Sequence, residues 1–113
     1  MPHFLMSYYP DAESGFDTEL AMRIALETGA QSGVMQAEDI KVRLERSKDI
    51  LFGDGRRSYL HVEISLLAGR TPEAKLALSS ALVEALRTAF PRIAAISCDI
   101  RDMDPACYKK SLV

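Results

Sequence analysis

Apolar and polar residues alternate along several stretches of the chain with the period of two that half-buried strands show. The clearest stretch is residues 59–67, where Leu60, Val62, Ile64 and Leu66 fall on one face. We predict strands at residues 3–9, 40–45, 59–67 and 94–101. Asp54-Gly55, between the second and third of these, is a strong turn signal.

One segment with helical spacing of apolar residues follows the first strand. Leu20 and Ile24, together with the pair Ala21 and Ala25, recur at intervals of three and four residues. The pattern predicts a helix over residues 17–27, with Ser14 or Asp17 as its N-cap and Gly29 as its end. Residues 33–38 are then expected to form a connector.

A second helix is predicted to begin at Thr71-Pro72, an N-cap followed by proline at the first helical position. It should run to about Phe90, where Pro91 stops it. The apolar residues expected to face the core are Leu76, Ala77, Leu78, Ala81, Leu82, Ala85, Leu86 and Ala89.

The order of these elements predicts an α+β fold made of two β-α-β units in tandem, at about residues 1–53 and 58–105. Each unit needs its helix to cross over one face of the sheet. We therefore expect one four-stranded sheet with both helices on a single face, in a single domain spanning residues 1–113. The other face of the sheet would remain open in a monomer, which favours an oligomer.

Composition narrows the possible partners. The chain is 48% apolar and 27% charged, with a net charge of −2 and no long block of one sign. A general affinity for nucleic acid or for an anionic membrane is not expected. With neither a signal peptide nor a long apolar run in the sequence, a cytoplasmic protein is predicted.

The neighbours of the cysteines and histidines in the sequence do not indicate a catalytic or metal-binding role. Cys98 and Cys107 have no adjacent histidine to activate them, so we interpret both as structural, reduced thiols. His3 and His61 lack the neighbours that a metal site requires, so no metal is predicted. Both are expected on one face of adjacent strands, with ordinary sheet hydrogen bonds.

Pro2 is the residue whose chemistry stands out. Removal of Met1 would leave a secondary amine on a rigid ring at the start of the first strand. An amino-terminal amine has a pKa of about 8, close to the working pH that suits a general acid or base. A retained Met1 would instead convert the Pro2 nitrogen into a non-basic amide.

Three features together resemble the 5-carboxymethyl-2-hydroxymuconate isomerase family of the tautomerase superfamily. They are the opening Met1-Pro2-His3-Phe4, the strand that carries Arg43, and the segment of residues 67–73 (LAGRTPE) that leads into the second helix. Residues 60–103 also resemble a half-length 4-oxalocrotonate tautomerase. The C-terminus, which ends Tyr108-Lys109-Lys110-Ser111-Leu112-Val113, is shorter than is usual for the family.

The resemblance implies a homotrimer with a barrel of sheets, an N-terminal proline as acid and base, and arginines that hold the carboxylates of the substrate. Carried onto this chain, Pro2 is catalytic, Arg70 is the loop arginine and Arg43 the strand arginine. Lys41 stands where the family tends to have another arginine. The implied reaction is enol–keto isomerisation of small unsaturated dicarboxylates or tricarboxylates in aromatic-compound catabolism, without metal or cofactor.

Two alternatives remain open at this stage. The same proline and arginines would suit hydration or dehalogenation of unsaturated acids, although that requires a further acidic residue or tyrosine to activate water. The chain would otherwise be a non-catalytic trimer that binds a ligand or partner through the same site. Arginines on an alternating strand or before an N-cap are also common as solvated surface residues.

Overall fold

The computed structural model of the protein describes residues 2–11 and 15–113, so that Met1 and the possible N-cap Ser14 lie outside the described residues. Within these ranges the strands and helices follow the predicted order. The elements are β1 (His3–Tyr9), α1 (Thr18–Gln31), a 3₁₀ turn (Ala37–Asp39), β2 (Lys41–Arg46), β3 (Tyr59–Leu67), α2 (Pro72–Ala89) and β4 (Ala95–Met103).

The four strands form one mixed sheet in the order β2-β1-β3-β4. Each predicted half supplies a parallel pair, β1 with β2 and β3 with β4, and the two halves join through the antiparallel pair β1 and β3. The predicted α+β architecture of two tandem β-α-β units is therefore confirmed.

Both helices pack on the same face of the sheet, which we call the covered face. Phe4 and Met6 of β1 and Leu60 of β3 are fully buried beneath them. From α2, the residues that reach this core are Leu78, Leu82 and Leu86, which recur at every fourth position. From α1 they are the small residues Ala21, Ala25 and Gly29, which let that helix approach the sheet closely.

The predicted end of α1 at Gly29 is wrong, because the helix continues to Gln31 and Ser32 is its C-cap. Gly29 instead allows α1 to pack closely against the side chains beneath it. A Cβ added there would lie 2.9 Å from Cζ of Phe4 and 3.0 Å from both Cδ1 of Ile40 and Sδ of Met35. The turn after the helix is made by Gly33, whose φ of 80° is a left-handed conformation.

Four residues assigned to the buried faces are exposed, namely Leu20, Leu76, Ala77 and Ala81. The side chain of Leu20 is 40% exposed and that of Leu76 is 66% exposed. Leu76 lies two residues before Leu78, which places it about 200° away around a helix of 3.6 residues per turn.

The predicted N-caps are confirmed, because Asp17 accepts a hydrogen bond from the amide of Leu20, and Thr71 accepts one from the amide of Ala74.

The other face of the sheet, which we call the open face, is largely polar. Its central residues are His3, Leu5 and Ser7 from β1, Lys41, Arg43 and Glu45 from β2, His61, Glu63 and Ser65 from β3, and Ser97, Asp99 and Arg101 from β4. Arg101 on β4 pairs with Asp99 at 2.9 Å and with Glu63 on β3 at 3.6 Å. Among the described residues, none of the helices combines the length and the apolar composition of a membrane-spanning segment.

Candidate active site

A small cavity of about 200 Å³ lies where the start of β1 meets the loop after α1 and the loop before α2. Its wall contains two of the residues singled out from the sequence, Pro2 and Arg70. The remaining wall residues are Gly33, Val34, Met35, Gln36 and Asp39. The segment predicted to be only a connector therefore forms most of the cavity wall.

Pro2 is buried at the head of β1, and its backbone is fixed by the sheet. Its carbonyl oxygen accepts a hydrogen bond of 3.1 Å from the backbone amide of Lys41. Side chains alternate along a strand, so Pro2 lies on the same side as Phe4, toward the helices. This explains why the ring faces the loop after α1 and not the open face.

Arg70 is held in place by two backbone carbonyls. Its Nε and Nη2 donate to the carbonyl oxygen of Val34 at 3.2 and 2.7 Å, and its Nη1 donates to that of Leu67 at 2.9 Å. A guanidinium has five N–H donors. Two of them, one on each terminal nitrogen, remain after these three bonds, and such a pair suits the two oxygens of a carboxylate.

Lys41 and Arg43 do not join Pro2 and Arg70 within one chain. They are paired in register with His3 and Leu5, so they lie on the open face of β2. The side chain of Arg43 is 60% exposed and reaches Glu45 at only 4.0 Å, a contact of little energetic value. The structure thus separates the predicted substrate-binding cations into one in the cavity and two on the opposite face of the sheet.

The positive charges of Lys41 and Arg43 affect the pKa of His3, which lies beside them. Partial burial lowers the pKa of its imidazole below the usual 6.5, and the nearby charges of Lys41 and Arg43 lower it further. Cations disfavour the protonated ring, which accounts for the direction. The region of the open face next to Pro2 is therefore electropositive.

His61 and Cys98 have environments that suit a structural role, whereas Cys107 is exposed. His61 lies on the same face as His3, and its Nδ1 is 2.7 Å from the hydroxyl of Ser97. Burial raises the pKa of the Cys98 thiol to about 12, with a smaller contribution from Asp99, so this thiol is not activated. The described residues contain no group of three or more His, Cys, Asp or Glu placed to hold a metal ion.

Sequence reasoning did not single out Asp39, which shares the cavity wall with Pro2 and Arg70. It ends the 3₁₀ turn directly before β2, and its backbone amide donates to the carbonyl of Gln36 at 3.0 Å. An acidic residue in a polar connector carries no periodic signal. Only the packing of that connector against the start of β1 could have revealed it.

A larger cavity, of about 780 Å³, lies at the opposite end of the sheet, where β1 and β2 finish. Arg46, Arg56 and Arg57 line it together with Tyr9 and Phe52. The guanidinium of Arg56 is engaged by the carboxylate of Asp54. Although this cavity is larger, we take the smaller one as the candidate active site, because it brings a potential N-terminal amine beside an arginine.

Neither the known family models nor the curated proteins match the sequence. Solved structures do match. A protein named Pt0534, inactivated by 2-oxo-3-pentynoate, superposes with a TM-score of 0.82 at 16% identity, over 96% of this chain and 92% of that one. A 5-carboxymethyl-2-hydroxymuconate isomerase from Deinococcus radiodurans R1 gives a TM-score of 0.77 at 20% identity, over 97% and 88% of the two chains.

A fused 4-OT that forms a symmetric trimer gives a TM-score of 0.72 at 19% identity, covering 97% of this chain and 90% of that one. At these identities the superpositions establish the fold and leave the reaction open. They cover nearly the whole length of this chain and of each neighbour, as the resemblance in sequence implied. The chain therefore has the tautomerase fold, shared with 5-carboxymethyl-2-hydroxymuconate isomerases and 4-OT-like proteins.

Proposed function

We propose that this protein is a tautomerase that interconverts the enol and conjugated keto forms of small unsaturated oxo-carboxylic acids. The observation that carries the proposal is the shared cavity of Pro2 and Arg70. Such a reaction needs one group to move a proton between two atoms of the substrate and another to hold the acid in place.

Pro2 is proposed as the group that moves the proton. As the first residue of the mature chain its nitrogen would be a secondary amine with a pKa in the range where it both accepts and returns a proton. The burial of Pro2 and the cation of Arg70 both disfavour the ammonium form, and so favour the free base. No metal or cofactor enters this step.

Arg70 is proposed to bind the carboxylate of the substrate. The two carbonyls that hold its guanidinium fix the direction of its two remaining N–H groups before any substrate arrives. Pre-positioned donors of this kind also stabilise negative charge as it develops on a dienolate.

The proposed assembly is a homotrimer, in which Lys41 and Arg43 of one protomer would serve the cavity of another. In a single chain these two cations lie on the open face of β2 and are not part of the cavity wall that contains Pro2, which is the reason for proposing that another protomer supplies them. A dicarboxylate or tricarboxylate substrate, as the sequence resemblance implies, depends on that second source of positive charge.

The fold neighbours support the proposal at the level of reaction class. They include two isomerases named for 5-carboxymethyl-2-hydroxymuconate and fused 4-OT trimers. Pt0534 was inactivated by 2-oxo-3-pentynoate, a small electrophilic oxo-acid of the kind that a nucleophilic amine attacks. The proposed setting is aromatic-compound catabolism in the cytoplasm.

The test is the activity of Pro2→Ala on a panel of enol and dienol carboxylates, followed by ultraviolet absorbance. Loss of the acid–base group should lower turnover by on the order of a hundredfold or more. Pro10→Ala, at the far end of β1, is the matched control and should retain activity.

A second arm of the test compares protein whose mass includes Met1 with protein whose mass lacks it. Only the form that begins at Pro2 should turn over substrate and should be labelled on Pro2 by 2-oxo-3-pentynoate. Equal activity of both forms would exclude Pro2 as the base. Tight binding of the acids without turnover by either form would favour the non-catalytic alternative.

A further inference from the structure

The guanidinium of Arg70 is held by the loop after α1, which belongs to the other half of the chain. Its Nε and Nη2 both donate to the carbonyl oxygen of Val34, at 3.2 and 2.7 Å. The remaining bond, from Nη1 to the carbonyl of Leu67 at 2.9 Å, stays within the loop that carries Arg70. The direction of the two free N–H groups of Arg70 therefore depends on where the loop after α1 places the Val34 carbonyl.

The chain is anchored in the core directly after this carbonyl. Met35 is 9% exposed and belongs to the hydrophobic cluster beneath the helices. Its Sδ lies 3.0 Å from the place that a Cβ on Gly29 would occupy, and the ring of Phe4 lies 2.9 Å from the same place. Because interiors are close-packed, a side chain held in this way limits the movement of its own backbone. The Val34 carbonyl is thus fixed on its C-terminal side.

On the other side of Val34, the residue with the most conformational freedom is Gly33. Its φ is 80°, and among the described residues no atom beyond its chain neighbours lies within 4 Å of the place that a Cβ would occupy. A glycine populates left-handed and right-handed conformations about equally readily. Without a further restraint, rotation at Gly33 would move the Val34 peptide and its carbonyl.

The hydroxyl of Ser32 supplies a restraint that spans Gly33. It donates to the carbonyl of Gly29 at 2.6 Å and accepts from the backbone amide of Val34 at 3.3 Å. A serine hydroxyl that accepts from the amide two residues ahead closes a local turn. The two bonds together connect the last turn of α1 to the residue whose carbonyl holds Arg70.

The end of the helix does not by itself require this hydroxyl. The carbonyl of Gly29 also accepts a hydrogen bond of 3.2 Å from the backbone amide of Ser32, which satisfies one of the free carbonyls that the last turn of a helix leaves. Ser32→Ala would keep that bond and would lose only the two bonds of the hydroxyl. The substitution therefore separates the capping of α1 from the restraint on Val34.

We propose that Ser32 is a positioning residue of the candidate active site, which acts through the Val34 carbonyl to set the direction of the free N–H groups of Arg70. Ser32 itself is not part of the cavity wall that contains Pro2 and Arg70. The inference rests on the proposed function for the role that it gives to Arg70. Every contact that it uses lies within one chain, so it does not depend on the cations that another protomer supplies.

The direct test is the hydrogen exchange of the Nε–H group of Arg70, followed by NMR in the wild-type protein and in Ser32→Ala. Because this group donates to Val34, a looser loop should let it exchange faster, by roughly two- to tenfold, the range expected for the loss of one neutral hydrogen bond. Ser32→Thr keeps the hydroxyl and should exchange at the wild-type rate. Equal rates in the wild type and Ser32→Ala would overturn the proposal.

Ser79→Ala is the matched control. The hydroxyl of Ser79 also donates to the carbonyl three residues before it, that of Leu76 at 3.1 Å, but Ser79 lies on α2 and outside the cavity wall. Its replacement should leave the exchange of Arg70 unchanged. An acceleration as large as that in Ser32→Ala would show a general loss of stability and would contradict a specific role of Ser32.

A double-mutant cycle on kcat/KM for a small 2-hydroxydienoate relates the loop to the chemistry. Ser32→Ala should lower kcat/KM by roughly two- to tenfold when Arg70 is present, and should have little effect in the Arg70→Ala background. The same decrease in both backgrounds would show that Ser32 acts independently of Arg70, and the proposal would fail. If the wild type turns over no acid of the panel, the proposed function fails, and the exchange rates still decide whether Ser32 positions Arg70.

Discussion

At the scale of single residues, the pKa of His3 can be measured as a probe of the positive charge on the open face. The pKa of its imidazole lies below 6.5 because of partial burial first, and then the charges of Lys41 and Arg43. Arg43→Ala should raise this pKa toward 6.5 without reaching it, since burial remains. The measurement is an NMR titration of the His3 ring, with Arg23→Ala, whose side chain pairs with Glu19 on α1, as control.

The same shift has a consequence for stability. Because the folded pKa of His3 is lowered, the unfolded chain binds more protons as the pH falls through 6.5. His3 therefore makes the free energy of unfolding decrease in that range, and Arg43→Ala should weaken the decrease. An unchanged His3 titration in Arg43→Ala would show that Arg43 does not lie beside His3.

At this scale the sequence indicated which residues could take part in the chemistry, but it did not show which of them lie in the same cavity. The chemistry of Pro2 could be proposed from its place after Met1, whereas the role of Arg70 came from the resemblance to the family. The alternation of Arg43 with the apolar Val42 and Leu44 was enough to place Arg43 on the polar face of its strand. What the sequence did not show is that Pro2 and Arg70 meet on the other side of the sheet.

At the scale of elements, Gly29 illustrates a limit of reading helix ends from glycines. The caps Asp17 and Thr71 were predictable because their side chains bond to amides three residues ahead. A glycine within the last turn of a helix, by contrast, signals either an end or a close approach. Only the positions of Phe4, Met35 and Ile40 decide between the two.

Gly29→Ala is expected to destabilise the fold by about 1 kcal/mol. The gain in helix propensity is close to 1 kcal/mol, whereas overpacking a core costs roughly 1–3 kcal/mol. The added methyl would press on the ring of the fully buried Phe4, two residues from Pro2. Chemical denaturation measures the change, and Gly53→Ala, with nothing within 4 Å, is the control.

Stabilisation by Gly29→Ala, equal to that expected for an exposed helical glycine, would show that α1 does not pack closely on β1. If the packing is as described, the substitution should also reduce activity, because Phe4 lies only two residues from Pro2 along the chain.

At the scale of the whole molecule, the proposed trimer is the feature most open to test. Light scattering at micromolar concentration should give a mass three times that of the 12.5 kDa chain. Leu51 is 96% exposed in a single chain and adjoins Ile50, which is 38% exposed, and we expect a neighbouring protomer to cover this apolar pair. Leu51→Asp should therefore shift the mass toward that of the monomer.

Leu76→Asp is the control for this shift, since Leu76 is also exposed but lies on the outer side of α2. A stable wild-type monomer would contradict both the trimer and the contribution of Lys41 and Arg43 to another cavity.

The tandem architecture was predictable because each half repeats the same alternation of strand, helix and strand. The candidate site was not fully predictable, because its wall is a loop whose sequence has no period. Gly33, Val34 and Gln36 become part of a site only through their packing against Pro2 and Arg70.

The hydrogen bonds from Arg70 to the carbonyl of Val34 join the second half of the chain to the first. The half that begins at β1 brings the imino acid and the loop, and the half that begins at β3 brings the guanidinium. Each half contains a complete β-α-β unit, yet neither holds both the proposed base and the proposed carboxylate-binding cation. A cut between the two units would therefore separate the two groups of the proposed mechanism as well as the polypeptide.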